Sequence, residues 1–239
     1  MALTILAFAA VACGPRSSPL LSQNEIPPTR TPVTTEGSPT PILPHNPRDN
    51  FDQGKQYIKL AEWKENSVKF SNALAGYVLR HGFTYPVDVV VSTPEEYEAG
   101  LLNGTVDIVT EFPRDTEKEW YDAQLAAGTI KDIGTLFEDR PEKRIVIQTA
   151  LATRAPEVVA FLQKFVPGDE SHTRLSDLIR AGRAGFSPEA AAQVYFKENP
   201  GKVATWASQA EADLVSAAIT AGRIAYKPTR CYSGQQGFC

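Results

Sequence analysis

Three cysteines, three histidines and one methionine are all that this 239-residue chain offers in soft or imidazole ligands. His45, His81 and His172 stand far apart with no ligand-like spacing, so neither a metal centre nor a haem is expected, and no cofactor. Positive charge is also scarce. With 24 Lys+Arg against 28 Asp+Glu, the formal net charge is −4 and the pI near 5.5. That balance supplies no dense basic patch for a phosphate backbone, and nucleic acid is not an expected partner. Missing too are G-x-S-x-G, a phosphate-binding glycine loop, a dinucleotide fingerprint and H-E-x-x-H. Their absence argues against the common hydrolases, NTPases and dehydrogenases, and no enzymatic activity is expected. The acidic pairs Glu95-Glu96 and Glu117/Glu119 fall in the first turns of expected helices, where interaction with the helix dipole accounts for them. What remains is a globular composition, 42% hydrophobic and 22% charged, enough to bury one core.

The N-terminal apolar run, residues 2–12, is too short to span a bilayer and leads into Cys13-Gly14 and a polar segment, the shape of a signal peptide. Ala10-Val11-Ala12-Cys13 resembles the lipobox of bacterial lipoproteins, which implies acylation of Cys13; an ordinary secretory signal is the alternative. Residues 13–54 read as a tether, rich in Pro, Ser and Thr from Pro15 onward, with too few apolar side chains to form a packed face. About 36 residues at a polyproline-like rise of ~3.1 Å reach on the order of 100 Å, enough to hold a domain clear of a membrane. At the other end, residues 228–239 form a tail in which Cys231 and Cys239 bracket seven residues. In an oxidising compartment the two close on each other, a loop worth roughly 2.5 kcal/mol in the chain-entropy account, or they stay as free or partner-facing thiols.

Between these appendages, residues 55–227 alternate strand and helix patterns. Strands are expected at 57–63, 87–91, 106–110, 130–137 and 144–150, and helices at 66–80 and from Pro94 to Leu102. Thr93-Pro94-Glu95-Glu96 and Thr116-Glu117-Lys118-Glu119 read as capping boxes, the second opening a helix that stops at Gly128. The chain is then almost wholly helical, at 156–165, 173–180, from Ser187 onward and at 202–221, with Ala-Gly-Arg at Ala181 and Ala221 marking helix ends. Asn103-Gly104-Thr105 is formally a glycosylation sequon but reads as a tight turn. This order predicts an α/β fold, a three-layer sheet with helices on both faces and a helical C-terminal part, with ligands at the carboxyl ends of the strands.

An ordered series of segments resembles the substrate-binding proteins of glycine betaine, carnitine, choline and proline-betaine ABC transporters. It runs from Ile58-Lys59-Leu60-Ala61-Glu62-Trp63 through Leu101-Leu102-Asn103-Gly104-Thr105-Val106-Asp107-Ile108 to Phe112-Pro113, where the family often has Trp-Pro. It continues in Glu119-Trp120-Tyr121, Lys131-Asp132-Ile133-Gly134, Ala155-Pro156-Glu157-Val158-Val159 and Ala190-Ala191-Ala192 through Asn199-Pro200 and Trp206. The resemblance implies a periplasmic-binding-protein-like (type II) lobe, a quaternary ammonium ligand and an ABC permease as partner. Such proteins insert a second lobe in mid-chain, whereas only about twenty residues separate Gly134 from Pro156 here, so most of that lobe is missing. A quaternary ammonium cannot donate a hydrogen bond, and aromatic faces attract it at about 0.5 to 2 kcal/mol each. Trp63 and Phe112, just past strand ends, are the candidate faces against a reading as core packing; Trp120 could serve either purpose, and Trp206, in an Ala-rich helical stretch, reads as core.

Two functions follow. One is a lipid-anchored, extracytoplasmic solute-binding component of a bacterial ABC transporter for glycine betaine or a related osmolyte, which Trp63 favours. The other is an envelope lipoprotein that uses a single lobe of this fold as a protein-interaction scaffold, which the shortening favours.

Overall fold

The computed structural model describes residues 54–182, 186–223 and 230–231. Cys13, the tether, Cys239 and the side chain of Cys231 lie outside the described residues. The chain runs β1 (Ile58–Glu62), α1 (Asn66–His81), β2 (Val87–Val91), α2 (Pro94–Asn103), β3 (Ile108–Pro113), α3 (Lys118–Ala127), β4 (Ile130–Thr135) and β5 (Lys143–Gln148). The helices α4 (Thr149–Arg154), α5 (Pro156–Leu162), α6 (Asp169–Arg180), α7 (Pro188–Glu198), α8 (Val203–Trp206) and α9 (Gln209–Thr220) follow, then the short β6 (Arg230–Cys231). The strand order is β4-β5-β3-β1-β2-β6. Strands β1, β2, β3 and β6 are parallel, while β5 runs antiparallel between β3 and β4.

Alternation along the strands sends side chains to two apolar layers, because successive residues of a strand point to opposite faces. Ile58, Leu60, Val87, Val89, Ile108, Ile145 and Ile147 join α1 and the C-terminal helices in the larger cluster. Ala61, Val90, Val109 and Val146 join α2 and α3 in the smaller one. Helix α1 packs on the strands and against α6, α7 and α9 and is buried from Phe70 to Leu79, with Arg80 and His81 in its last turn where the helix dipole favours positive charge.

Several expectations change in detail. The first capping box is present, with Glu96 N donating to Thr93 Oγ1 and Thr93 N to the Glu96 carboxylate. The second is not: α3 begins after Glu117, whose side chain makes no cap bond. The third strand starts later, at Ile108, and the Asp107 carboxylate just before it accepts from Lys59 N at 2.9 Å and pairs with Arg154 at 2.7 Å. Residues 149 and 150, expected to end the fifth strand, instead open the helix α4. The helix expected at 202–221 is broken between Trp206 and Gln209, where Ser208 and Glu211 form a capping box of their own and restart the helix. Gly182 (φ 60) and Gly222 (φ 66) follow the last residues of α6 and α9 in the left-handed region that favours glycine, as helix ends require. The Asn103-Gly104-Thr105 turn has Thr105 N donating to Asn103 Oδ1 at 2.9 Å.

Between Gly134 and Pro156, where the resemblance places a second lobe, the chain has only the β4–β5 hairpin turn at 136–142, β5 and α4. The described strands form one sheet.

Candidate functional site

Strand β1 connects through α1 to β2 on one side of it and neighbours β3 on the other, so the order reverses between β1 and β3. A crevice outside the carboxyl ends of strands at such a reversal is where open α/β sheets bind ligands. Trp63 directly follows β1, and Phe112 is next to last in β3. The structure brings the two into one aromatic ladder. The Trp63 and Tyr97 rings lie 5.1 Å apart and tilted, and Tyr97 meets Phe112 edge-on at 5.8 Å. Phe112 in turn stacks on Trp120 and on Tyr121, each at 5.6 Å.

Burial divides the roles. Trp63 and Trp120 are half-buried, and each retains area that a ligand can meet. Phe112 is fully buried, its ring covered by Tyr97, Trp120 and Tyr121, so it supports Trp120 directly and Trp63 through Tyr97 instead of presenting a face. Trp206 is a core residue, stacked on Tyr195 at 6.2 Å and edge-on to Phe165 at 4.8 Å.

Sequence reasoning missed Tyr97. Its signal was present: an aromatic four residues after the Thr93 cap lies on the first turns of a helix that begins at a strand's carboxyl end. Tyr97 is 1% exposed and its hydroxyl has no hydrogen-bond partner among the described residues. Burial raises the hydroxyl's pKa, and the charges of Glu117, Glu98, Glu65 and Glu95 raise it further. Glu98 is itself pushed up to about 7, first by burial and then by Glu117 and Glu95.

The ladder's outer end is fixed by a polar clamp. Arg144 grips Asp132 through two bonds, Nε to Oδ2 at 2.7 Å and Nη2 to Oδ1 at 2.8 Å, and the Tyr121 hydroxyl donates to the same carboxylate. Burial works to raise the Asp132 pKa, but the Arg144 and Tyr121 bonds outweigh it and the net direction is down.

A second group of polar side chains lies on the opposite face of β3, and an irregularity of the strand puts it there. Val109 stands opposite Val146 and Phe112 opposite Arg144, so Thr110 and Glu111 together oppose the single residue Ile145. This bulge keeps Val109 and Phe112 in the α2/α3 layer while turning both intervening residues toward α1. Thr110 donates to Asn72 Oδ1 at 2.9 Å, and Asn72 donates to the Ala61 carbonyl at 2.8 Å. The Ser71 hydroxyl donates to Glu111 Oε1 at 2.6 Å. With its proton so placed it accepts from His172 Nε2 at 2.8 Å, which leaves His172 Nδ1 as an unpartnered acceptor. Burial raises the Glu111 pKa and pushes His172 down to about 3, with the Arg140 charge adding to the latter. All of Ser71, Asn72, Thr110, Glu111 and His172 are inaccessible to solvent, so this network braces α1, α6 and β3 beneath the crevice and touches no ligand.

Among the described residues no group of acidic, histidine and cysteine side chains is arranged to hold a metal ion, and no helix is long and apolar enough to cross a membrane.

No protein-family model and no curated protein matches the sequence. Solved structures do match. An ABC-transporter choline-binding protein in complex with choline superposes with a TM-score of 0.58 at 10% identity, over 68% of this chain and 98% of that one. Lactococcal OpuAC, closed on glycine betaine, gives 0.52 at 10% identity over 64% of this chain and 99% of its own. The glycine betaine/L-proline-binding protein ProX from Borrelia burgdorferi gives 0.53 at 10% identity over 67% and 100%. The fold is therefore that of a type II periplasmic-binding-protein-like lobe, and the resemblance read from the sequence holds at the level of the fold.

Proposed function

We propose that this chain is an extracytoplasmic solute-binding component of an ABC transporter, tethered to the bacterial membrane through an acylated Cys13, and that it presents a quaternary ammonium cation to a permease. The observation that carries this reading is the ladder Trp63–Tyr97–Phe112–Trp120 at the reversal point of a sheet whose neighbours are choline- and betaine-binding proteins. Aromatic faces attract the methylated ammonium, and no metal or cofactor is required. Two such contacts supply on the order of 1 to 4 kcal/mol, and without an opposing lobe little further burial is gained, so the expected dissociation constant is about millimolar, roughly 4 kcal/mol.

The single-sheet architecture supports a second reading, in which the crevice surface docks another protein of the envelope and the aromatic ladder is only core. Titration calorimetry of the full chain with choline and with glycine betaine decides between them. Millimolar binding that disappears in Trp63→Ala supports transport; no heat from either ligand, even with the partner permease present, leaves the scaffold reading.

A further inference from the structure

The last described strand carries the chain to the mouth of the crevice. Strand β6 runs parallel to β2, with Arg230 opposite Val90 and Cys231 opposite Val91, so the chain leaves the sheet at its carboxyl end. Strand β1 lies on the other side of β2, with Glu62 opposite Val91 and Trp63 one residue further on. From Cys231 to Trp63 the chain has two strand spacings to cross, about 10 Å at ~4.8 Å each.

That path runs over apolar surface. Val91 is 41% exposed, whereas Val87, Val89 and Val90 of the same strand are buried, and Trp63 is half-buried. Single exposed apolar side chains are ordinary on a protein surface. These two stand at the ends of adjoining strands, and between Gly134 and Pro156 the chain builds no second lobe to face them. Residues 232–239 lie outside the described residues, and their sequence suits this surface. Tyr232-Ser233-Gly234-Gln235-Gln236-Gly237-Phe238-Cys239 has an aromatic side chain near each end and no charged one. At ~3.3 Å per residue, eight extended residues reach about 26 Å, and a loop closed between Cys231 and Cys239 still reaches about 12 Å out and back. Either length suffices to arrive at Trp63.

We propose that residues 232–239 fold back over the carboxyl ends of β2 and β1 and seat an aromatic side chain on Val91 and Trp63. The chain's own segment then supplies part of the cover that an opposing lobe would give. Trp120, on the helix after β3 and a strand spacing further from β6, stays open. The contact lies within one chain and does not depend on what the crevice binds.

The test is two-dimensional NMR of the three indole N–H groups without ligand, using a neutral paramagnetic agent to report exposure. The full chain is compared with the same chain carrying Tyr232→Ala and Phe238→Ala. In the variant the agent should broaden the Trp63 signal severalfold more, and that signal should shift, while Trp120 and the core residue Trp206 stay unchanged. In the wild type, cross-relaxation should link Tyr232 or Phe238 to the Trp63 ring or the Val91 methyl groups. Equal broadening of Trp63 in both chains overturns the inference, and so does a Trp206 signal that moves with Trp63. Protection of Trp63 that is lost on dilution overturns it as well, because a second copy is then the cover. No ligand enters these measurements, so their failure leaves the quaternary ammonium reading untouched.

Discussion

Replacing Ser71 by Ala removes one oxygen from a place where two buried groups depend on it. The hydroxyl donates to Glu111 Oε1 at 2.6 Å and accepts from His172 Nε2 at 2.8 Å, and no solvent reaches any of the three residues to replace the bonds. Leaving a buried polar group without its partner costs about 1 to 3 kcal/mol, which for two groups gives roughly 2 to 6 kcal/mol. Alanine's better helix propensity in α1 returns about 0.5 kcal/mol. The net loss is therefore about 1.5 to 5.5 kcal/mol. In urea unfolding followed by circular dichroism at pH 7, a slope of ~2 kcal/mol/M translates this into a midpoint about 1 to 3 M lower. Ser176→Ala is the matched control, because the Ser176 hydroxyl is buried with no partner. Its removal should change stability by less than about 0.5 kcal/mol or raise it. A Ser71→Ala variant within about 0.5 kcal/mol of wild type, or a Ser176→Ala variant as damaged as Ser71→Ala, would refute the reasoning.

Three further outcomes are expected. His172, held near 3 in the fold against an ordinary value near 6.5, binds its proton more readily when unfolded, so its contribution to stability is complete above about pH 6.5 and is lost as pH falls toward 3. His172→Gln should flatten the dependence of the urea midpoint on pH over that window, and an unchanged slope contradicts the assignment. Cys13→Ser should release the protein from the membrane fraction, since acyl chains are the anchor the reading invokes; a wild type already soluble and unacylated by mass spectrometry defeats it. Cys231 and Cys239 should be joined in protein recovered from the envelope, as non-reducing peptide mapping can show, and two free thiols or a mixed disulfide with another chain would reject the pairing.

Most of the fold was legible because its signals are local. The Thr93 cap, the glycines after α6 and α9 and the apolar alternation of Val87–Val91 each act within a few residues of where they are written. The break at Ser208 was equally local, a second capping box passed over inside an Ala-rich run that reads as continuous helix. The site was legible only in part. Trp63 could be placed because it follows a strand, but the bulge at Thr110 and Glu111 depends on pairing with β5, more than thirty residues away in sequence, and nothing local announces it. That one extra residue sends Phe112 inward among Tyr97, Trp120 and Tyr121 and sends Glu111 to Ser71 and His172. Of the carboxylates whose charge raises the Tyr97 hydroxyl's pKa, Glu95 and Glu117 were visible as helix-start residues, while their joint effect on Tyr97 is a property of the tertiary fold.

The three tryptophans of this chain allow the central claim to be tested residue by residue. Two-dimensional NMR of the indole N–H groups, assigned by single substitution, should show the Trp63 and Trp120 signals moving together as choline is added to tens of millimolar, a range set by about millimolar affinity. Trp206, 2% exposed among Phe165, Tyr195 and Phe196, should stay in place. Indole signals that all remain fixed, or a Trp206 shift with Trp63 unmoved, would contradict the assignment of the ladder as the binding face.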